Sequence, residues 1–299
     1  MAVRLGVSPI AWSNDDLPEL GGDTALETCL AEAREAGFAG IELGNKFPRQ
    51  APVLRSILER HRLALISGWY SGRLLGRPVE AEMAAIEPHR NLLAAMGCTI
   101  LVYAETTGSI AGDPGRALST RPRLGDRDWR AFCAGLTDLA DWLAQSGIGL
   151  AYHHHMGTVV EDAGDIDQLM TTTGDSVGLL LDTGHLVFAG ADPAAIVRRH
   201  GRRINHVHCK DVRDGVLAEV RARDASFLDA VLDGVFTVPG DGFVDFGGVL
   251  RLLAATDYRG WLVVEAEQDP AKAPPLAYAK RGFAHLSAAA ASAGPWGKP

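Results

Sequence analysis

The stretch VGLLLDTGH, residues 177–185, is a run of small and aliphatic residues that stops at an aspartate and a Thr-Gly pair. Continuous apolar runs of this length are typical of strands in a parallel sheet, because helices cover both faces of such a sheet. A polar residue at the end of the run is then placed at the carboxyl edge of the sheet. The stretch therefore predicts a buried parallel strand that delivers Asp182 to that edge.

Seven other short apolar runs resemble this one, and a longer amphipathic segment follows each of them. The eight candidate strands cover residues 3–8, 37–43, 63–69, 99–105, 148–153, 177–183, 204–210 and 260–267. Helical patterns fall near residues 24–36, 50–60, 80–96, 127–146, 163–172, 192–200, 246–256 and 276–292. Eight strand–helix pairs in a chain of 299 residues predict an α/β fold, a (β/α)8 TIM barrel of the xylose-isomerase-like kind.

An open, doubly wound sheet is the alternative, and two features disfavour it. No GxGxxG turn follows the first strand, and polar residues stand at the ends of many strands rather than at one switch point. No Pro/Gly/Ser-rich linker interrupts the chain, so residues 1–299 are predicted to form a single domain. Two long connections, 106–126 and 211–245, would rise from the carboxyl face as a pocket wall or lid, or as mobile surface loops.

The amino-acid composition limits the binding partners and the cellular location that we expect for this protein. The hydrophobic fraction is 47% and the formal charge is −8, with no run of Lys and Arg, so nucleic acid is not an expected partner. No apolar run is long enough to span a bilayer, and the N-terminus lacks the apolar core of a signal peptide, so we expect no membrane association. The four cysteines are scattered without CxxC spacing, which favours reduced thiols and a cytoplasmic location.

Polar residues gather at the predicted strand ends. They are Glu42, Glu105, His153, Asp182, His208 and Glu265. A barrel directs those ends toward one mouth, and carboxylates mixed with imidazoles suit a divalent ion such as Mn²⁺, Co²⁺, Zn²⁺ or Fe²⁺. In the run AYHHHMG, 151–157, alternation puts His153 and His155 on one face and His154 on the opposite one, against the outer packing.

The chain resembles the xylose-isomerase-like barrels of the sugar phosphate isomerase/epimerase superfamily. Four segments carry that resemblance, GFAGIEL (37–43), LLLDTGH (179–185), HVHCKD (206–211) and YRGWLVVEAE (258–267). Within the superfamily the chain is most similar to the inosose dehydratases of myo-inositol breakdown. The more specific matches are SNDDLPELGGDT (13–24) and VVEAEQDP (263–270), and the similarity extends over essentially the whole chain.

The resemblance implies a metal site at Asp182, His208 and Glu265, each of which matches a family ligand. For the fourth ligand the superfamily usually carries a glutamate at the end of the fifth strand, where this chain has His153. We therefore expect His153 as the fourth ligand, with His155 as the second choice and Glu161 as the third.

The resemblance also implies a reaction, the loss of water from 2-keto-myo-inositol (scyllo-inosose), a cyclic polyol ketone. The implied cofactor is a divalent ion, Mn²⁺ or Co²⁺, with glutathione as a further candidate. An elimination needs a base beside a carbonyl and an acid for the leaving hydroxyl. Glu265 is the candidate base, His155 and His185 are candidate acids, and Lys210 is a candidate for stabilising charge on oxygen.

Other polar residues at strand ends are expected to contact substrate hydroxyls. They are Asn14, Asp15, Glu42, Lys46 and Tyr103. Three other functions stay open: a ketose isomerase or epimerase on the same barrel, a nuclease related to endonuclease IV, and a non-catalytic sugar-binding protein. The acidic charge disfavours the nuclease, and an intact ligand set disfavours the binding protein. Barrels of this superfamily often associate, which makes a homo-oligomer a further expectation.

Overall fold

Eight parallel strands close into a barrel in the computed structural model, which describes residues 3–15, 17–256, 258–294 and 296. The barrel strands are β1 (Arg4–Val7), β2 (Gly40–Leu43), β3 (Ala64–Gly72), β4 (Ile100–Glu105), β5 (Gly149–His153), β6 (Val177–Asp182), β7 (Ile204–Cys209) and β10 (Trp261–Val264). Each strand pairs with its neighbours in chain order, and β10 pairs with β1 to complete the circle. The predicted fold and all eight strands are confirmed.

Helices cover the outside of the barrel. They are α1 (Leu26–Glu35), α2 (Ala51–His61), α3 (Val79–Ala95), α4 (Asp126–Ala144), α5 (Ala163–Thr172), α6 (Thr183–Phe188), α7 (Pro193–His200), α8 (Asp214–Ala222), α9 (Phe227–Leu232), α10 (Phe246–Ala254) and α11 (Pro275–Ser292). Eight of them match the predicted patterns, and α6, α8 and α9 were not predicted. Local signals fix their ends: at α5, Asp162 accepts hydrogen bonds from the backbone of Gly164 and Asp165, a capping box.

Alternation along the strands divides the apolar residues into two layers. Ala151, Leu180 and Val263 are buried and stand two positions before His153, Asp182 and Glu265, respectively, so they share the inner face. They fill the barrel interior beneath its carboxyl mouth. The larger core lies between strands and helices, where Leu101, Leu136 and Leu181 are fully buried. The packed interior therefore supports the polar residues at the mouth from below.

The two long connections differ from each other in structure. The first, 106–126, contains one short 3₁₀ turn, Leu118–Thr120. The second is folded, contrary to the expectation of a long loop at 211–245: it contains α8, α9 and a small antiparallel pair, β8 (Asp211–Val212) with β9 (Phe236–Thr237).

The two connections are packed together over the mouth. The backbone amide of Leu118 donates to the carbonyl of Ala225 at 3.2 Å, and the Ser119 hydroxyl donates to Asp224. Beneath these bonds lies an apolar cluster that includes Met156, Phe227 and Phe236. The cluster forms a roof on one side of the mouth. None of the helices in the described part of the chain is long and apolar enough to cross a membrane.

Candidate metal centre

Four consecutive strands of the barrel deliver one polar side chain each to a common point. His153 ends β5, Asp182 ends β6, His208 lies near the end of β7, and Glu265 directly follows β10. One ligand atom from each residue lies within 4.8 Å of the others, and all four residues are buried. The strand register explains this, since Asp182 pairs with His208 across the β6–β7 ladder. The structure thus brings together the four residues that were predicted as metal ligands.

The polar atoms at this point face one another, and this arrangement tests whether the site suits a cation. Asp182 Oδ2, His208 Nδ1 and Glu265 Oε2 are buried, and none makes a hydrogen bond of regular geometry with a described residue. Their near neighbours are charged groups: His208 Nδ1 contacts Glu265 Oε2, and Lys210 Nζ lies 3.3 Å from Asp182 Oδ2. His153 Nε2 lies 3.5 Å from Asp182 Oδ2, and His208 Nδ1 lies 3.6 Å from the same oxygen. Orphaned buried polar atoms are costly. Two carboxylates and two imidazoles around one point fit a divalent transition ion.

The DTGH segment builds one side of this site from backbone contacts. Asp182 caps α6, because its Oδ1 accepts a hydrogen bond from the backbone amide of His185 at 2.9 Å, which leaves Oδ2 for the site. The Thr183 hydroxyl donates to the carbonyl of Lys210 at 2.7 Å. A Cβ on residue 184 would lie 2.5 Å from the Lys210 side chain and clash with it, so the position of this lysine requires glycine at 184.

A buried ionic network lies next to the four ligands. Lys210 is fully buried, and its Nζ lies 2.7 and 2.8 Å from the two carboxylate oxygens of Glu267 and 3.3 Å from Asp182 Oδ2. Burial acts to raise the pKa of Glu267, but Lys210 and His185 outweigh it and lower that pKa well below its ordinary value. His185 Nε2 is 3.5 Å from Glu267 Oε1. Lys210 thus supplies the positive charge that the buried carboxylates require.

Burial also acts to raise the pKa of Glu265, and there it outweighs the neighbouring positive charges. The pKa of that carboxyl lies above its ordinary value, although the nearby His208 and Lys210 act to lower it. Burial likewise lowers the pKa of His153 and keeps its imidazole neutral, the form that can bind a metal. The lowered pKa of His153 therefore agrees with a ligand role, whereas the raised pKa of Glu265 favours a carboxyl that takes up a proton.

The three consecutive histidines have three different surroundings. His153 joins the four-residue site. His154 is fully buried, its Nε2 accepts a hydrogen bond from the backbone amide of Asp182 at 3.4 Å, and burial lowers its pKa to about 3. His155 lines the cavity, and its ring centroid lies 4.1 Å from that of His185.

A cavity of about 260 Å³ opens above the four residues. Its wall includes Ser8, Ile10, Asp15, Glu42, Trp69, Ser71, Thr106, Ser109, His153, His155, Thr158, His208, Glu265 and Glu267. Trp69 is 41% exposed and places its ring edge-on to His153, with centroids 5.3 Å apart. An apolar ring face beside a set of polar side chains suits a small polyhydroxylated ring.

The predicted substrate contacts divide into two groups. Asp15 and Glu42 line the cavity. Lys46, Tyr103 and Asn14 do not: Lys46 Nζ donates to the carbonyls of residues 21, 22 and 24, and the Tyr103 hydroxyl donates to Glu82 on α3 at 3.1 Å. Asn14 Oδ1 accepts from the backbone amide of Leu17 at 3.0 Å. Tyr103 follows the inward-facing Val102 on β4, so it points to the helix layer.

Four other predicted residues also lie away from the cavity. Glu105, like Tyr103, faces outward, and it accepts from the backbone amides of Leu74 and Thr107. The catalytic candidates His185 and Lys210 are fully buried beneath the cavity wall rather than exposed to it. They act on the site through Glu267 and Asp182. Glu161, the third choice for the fourth ligand, pairs instead with Arg121 at 3.2 Å.

Sequence reasoning missed Glu267 as a member of the site. Alternation places it on the same strand face as Glu265, and a lysine two residues after a metal-site histidine needs a carboxylate partner when buried. Those two observations together predict it. Ser67, which donates to Glu42 Oε1 at 2.6 Å, carries no comparable pattern in the sequence.

Comparison with known proteins agrees with this architecture. The family model described as "Xylose isomerase-like TIM barrel" matches residues 30–289. A Rhizobium meliloti protein named "Rhizopine catabolism protein MocC" is 54% identical over 98% of this chain and 90% of its own length. "Inosose dehydratase" of Geobacillus thermodenitrificans is 46% identical over 95% of this chain and 96% of its own.

Among solved structures, "IOLI protein with a binding zinc atom" superposes with a TM-score of 0.66 at 15% identity. The alignment covers 97% of each chain. At this identity the likeness concerns the fold alone.

Proposed function

The chain belongs to the xylose isomerase-like TIM barrel family, and we propose that it is an inosose dehydratase, a hydro-lyase. It removes water from 2-keto-myo-inositol to give 3D-trihydroxycyclohexane-1,2-dione in myo-inositol catabolism. The observation that carries the proposal is the site of His153, Asp182, His208 and Glu265 in a chain so similar to named inosose dehydratases.

His153, Asp182, His208 and Glu265 would hold a divalent ion, each through one nitrogen or oxygen atom. Such an ion, when bound, supplies Lewis acidity to a substrate carbonyl and its neighbouring hydroxyl. We propose Mn²⁺ or Co²⁺ for this role, because mixed oxygen and imidazole ligands suit both. Glutathione stays a candidate cofactor on family resemblance alone.

Proton transfer is assigned to the residues that reach the cavity. Glu265 is the proposed base that removes the hydrogen on the carbon beside the ketone, and its raised pKa suits a group that takes up a proton. His155 also lines the cavity and is the proposed acid that protonates the leaving β-hydroxyl. The carbon–oxygen bond then breaks, the double bond forms, and the enol product tautomerises to the dione.

Lys210 and His185 support these groups from beneath. The ammonium of Lys210 lies 3.8 Å from Glu265 Oε2 and holds Glu267 in its ionised form. His185 packs on the His155 ring and so limits how that imidazole can turn. Both are proposed as supporting residues rather than as groups that touch the substrate.

The charge of the cavity wall favours a neutral substrate. Asp15, Glu42, Glu265 and Glu267 line it, and among the described lining residues there is neither a lysine nor an arginine. A phosphate ester would meet these carboxylates with no lysine or arginine in the wall to bind it. A ketone of an unphosphorylated polyol fits better.

The proposal is tested by offering 2-keto-myo-inositol to the metal-loaded protein in D₂O and following the products by ultraviolet absorbance and NMR. Formation of the dehydrated dione supports the dehydratase. Deuterium exchange or isomerised inosose without loss of water would contradict it and indicate a ketose isomerase or epimerase.

A further inference from the structure

We propose that Glu42 is a positioning residue for the metal centre, which fixes His208 so that the ring presents the lone pair of Nδ1 to the ion. This inference rests on the proposed function, because it takes His208 as a metal ligand. Glu42 was expected to contact substrate hydroxyls, and its place in the cavity wall is compatible with that. Its contacts with His206, His208 and Ser67 give it the second role that we propose.

One oxygen of Glu42 collects three contacts. Oε1 lies 3.1 Å from His208 Nε2 and 2.8 Å from His206 Nε2, and it accepts from the Ser67 hydroxyl at 2.6 Å. An ionised carboxylate can only accept hydrogen bonds. Each of the two imidazoles must therefore carry its proton on Nε2 toward Glu42.

This arrangement decides which nitrogen of His208 faces the ion. With the Nε2 proton committed to Glu42, Nδ1 is the nitrogen that can offer a lone pair, and Nδ1 is the atom directed at Asp182 Oδ2 and Glu265 Oε2. A hydrogen-bonded carboxylate also makes the imidazole a better donor to a metal. The same bond fixes the orientation of the ring.

Glu42 is itself held rigidly. It lies one residue before the end of β2, and β1 and β10 separate β2 from β7 in the barrel, so its bonds to His206 and His208 cross the interior between non-adjacent strands. Ser67 on β3 and His206 on β7 hold Oε1 from two directions. Since Glu42 is only 7% exposed, little water competes for these bonds.

The test is a metal titration of chelator-stripped protein by competition with a chromophoric chelator, with wild type compared to Glu42→Gln. Glutamine keeps the shape but can also donate a proton, so it no longer dictates the His208 tautomer. We expect metal binding to weaken by roughly 10–100-fold. Glu105→Gln is the matched control, because that buried carboxylate ends β4 but faces outward, and it accepts hydrogen bonds from Leu74, Tyr103 and Thr107, none of which lines the cavity. Its metal affinity should equal that of wild type.

A second readout separates positioning from general damage. In the Zn²⁺-loaded, ¹⁵N-histidine-labelled protein, the Nε2 proton of His208 should give a slowly exchanging, downfield NMR resonance that Glu42→Gln loses and Glu105→Gln keeps. If Glu42→Gln does not fold, Ser67→Ala removes one of the three contacts to Oε1 and should weaken metal binding several-fold.

Two results would overturn the inference in distinguishable ways. Equal metal affinity and an unchanged His208 resonance in Glu42→Gln would show that Glu42 does not position the ligand, while the metal centre stands. Failure of the wild-type protein to bind any divalent ion would instead remove the metal centre and the proposed function with it.

Discussion

His153 stands where barrels of this superfamily usually carry a glutamate, and the exchange alters the chemistry of the site. Compared with a glutamate at this position, the neutral imidazole of His153 places one negative charge fewer around the ion. Glu265 is then the only glutamate among the four ligands. An epimerase needs an acid and a base on opposite faces of one carbon, whereas an elimination needs one base and a separate acid. The residue at 153 therefore favours elimination.

Glu265→Gln should abolish the reaction at a site that keeps its shape. The amide cannot take up the proton, so we expect kcat to fall by about 10²–10⁴-fold. The measurement is dione formation at saturating 2-keto-myo-inositol and metal. Glu105→Gln provides the control, and a Glu265→Gln enzyme within a few-fold of wild type would contradict the assignment of the base.

Glu161 gives a pH prediction that is independent of the metal. Burial raises its pKa to about 7, although Gly157 and Arg121 act to lower it. The folded protein thus binds this proton more tightly than the unfolded chain, and the free energy of unfolding falls as pH rises from about 4.5 to about 7. The loss corresponds to about 3 kcal/mol.

Glu161→Gln lacks this titration. The difference in unfolding free energy between wild type and variant, measured with urea at pH 4.5 and 7.5, should shift by that amount in favour of the variant at the higher pH. A difference that does not change with pH would show that Glu161 keeps an ordinary pKa in the folded protein.

At the level of the elements, periodicity predicted the barrel because each strand is buried on both faces. The same property explains why Tyr103 and Glu105 were assigned to the mouth. Both faces of β4 are buried, so the sequence does not show whether its odd-numbered or its even-numbered residues point into the barrel. At β6 and β7 the pattern was sufficient, since Asp182 ends β6 and His208 lies one residue before the end of β7, both on the inner face. The helices α8 and α9 have only nine and six residues, so they are not stable on their own. Packing in the apolar roof stabilises them, and that packing cannot be seen in the sequence.

Arg121 ties the connection after β4 to the segment after β5. Its guanidinium pairs with Glu161, Asp162 and Asp165 and donates to the carbonyl of Thr158, which lines the cavity. Arg121→Ala removes the counterion of three partly buried carboxylates, so we expect a loss of about 1.5–3 kcal/mol in unfolding free energy. Because the segment carries His155, kcat should fall as well. The exposed Arg123→Ala is the control, and equal urea midpoints for the two variants would refute the role of Arg121.

For the whole molecule, metal binding should stabilise the fold. An ion that binds only the native state at about 100 times its Kd adds about 2.7 kcal/mol to the free energy of unfolding. The unfolding temperature of stripped protein should therefore rise when Mn²⁺ or Co²⁺ is added. Asp182→Asn should show no such rise, because it loses a buried ligand oxygen. A rise of the same size in Asp182→Asn would place the ion elsewhere.

We propose that one divalent ion, held by His153, Asp182, His208 and Glu265, is required for the removal of water. The most direct measurement is to strip the protein with a chelator, add back Mn²⁺ or Co²⁺ in known amounts, and record the rate of dione formation from 2-keto-myo-inositol. We predict no activity in the stripped protein and a rate that increases linearly until one equivalent of metal per chain is bound. Full activity after complete removal of metal would contradict the account.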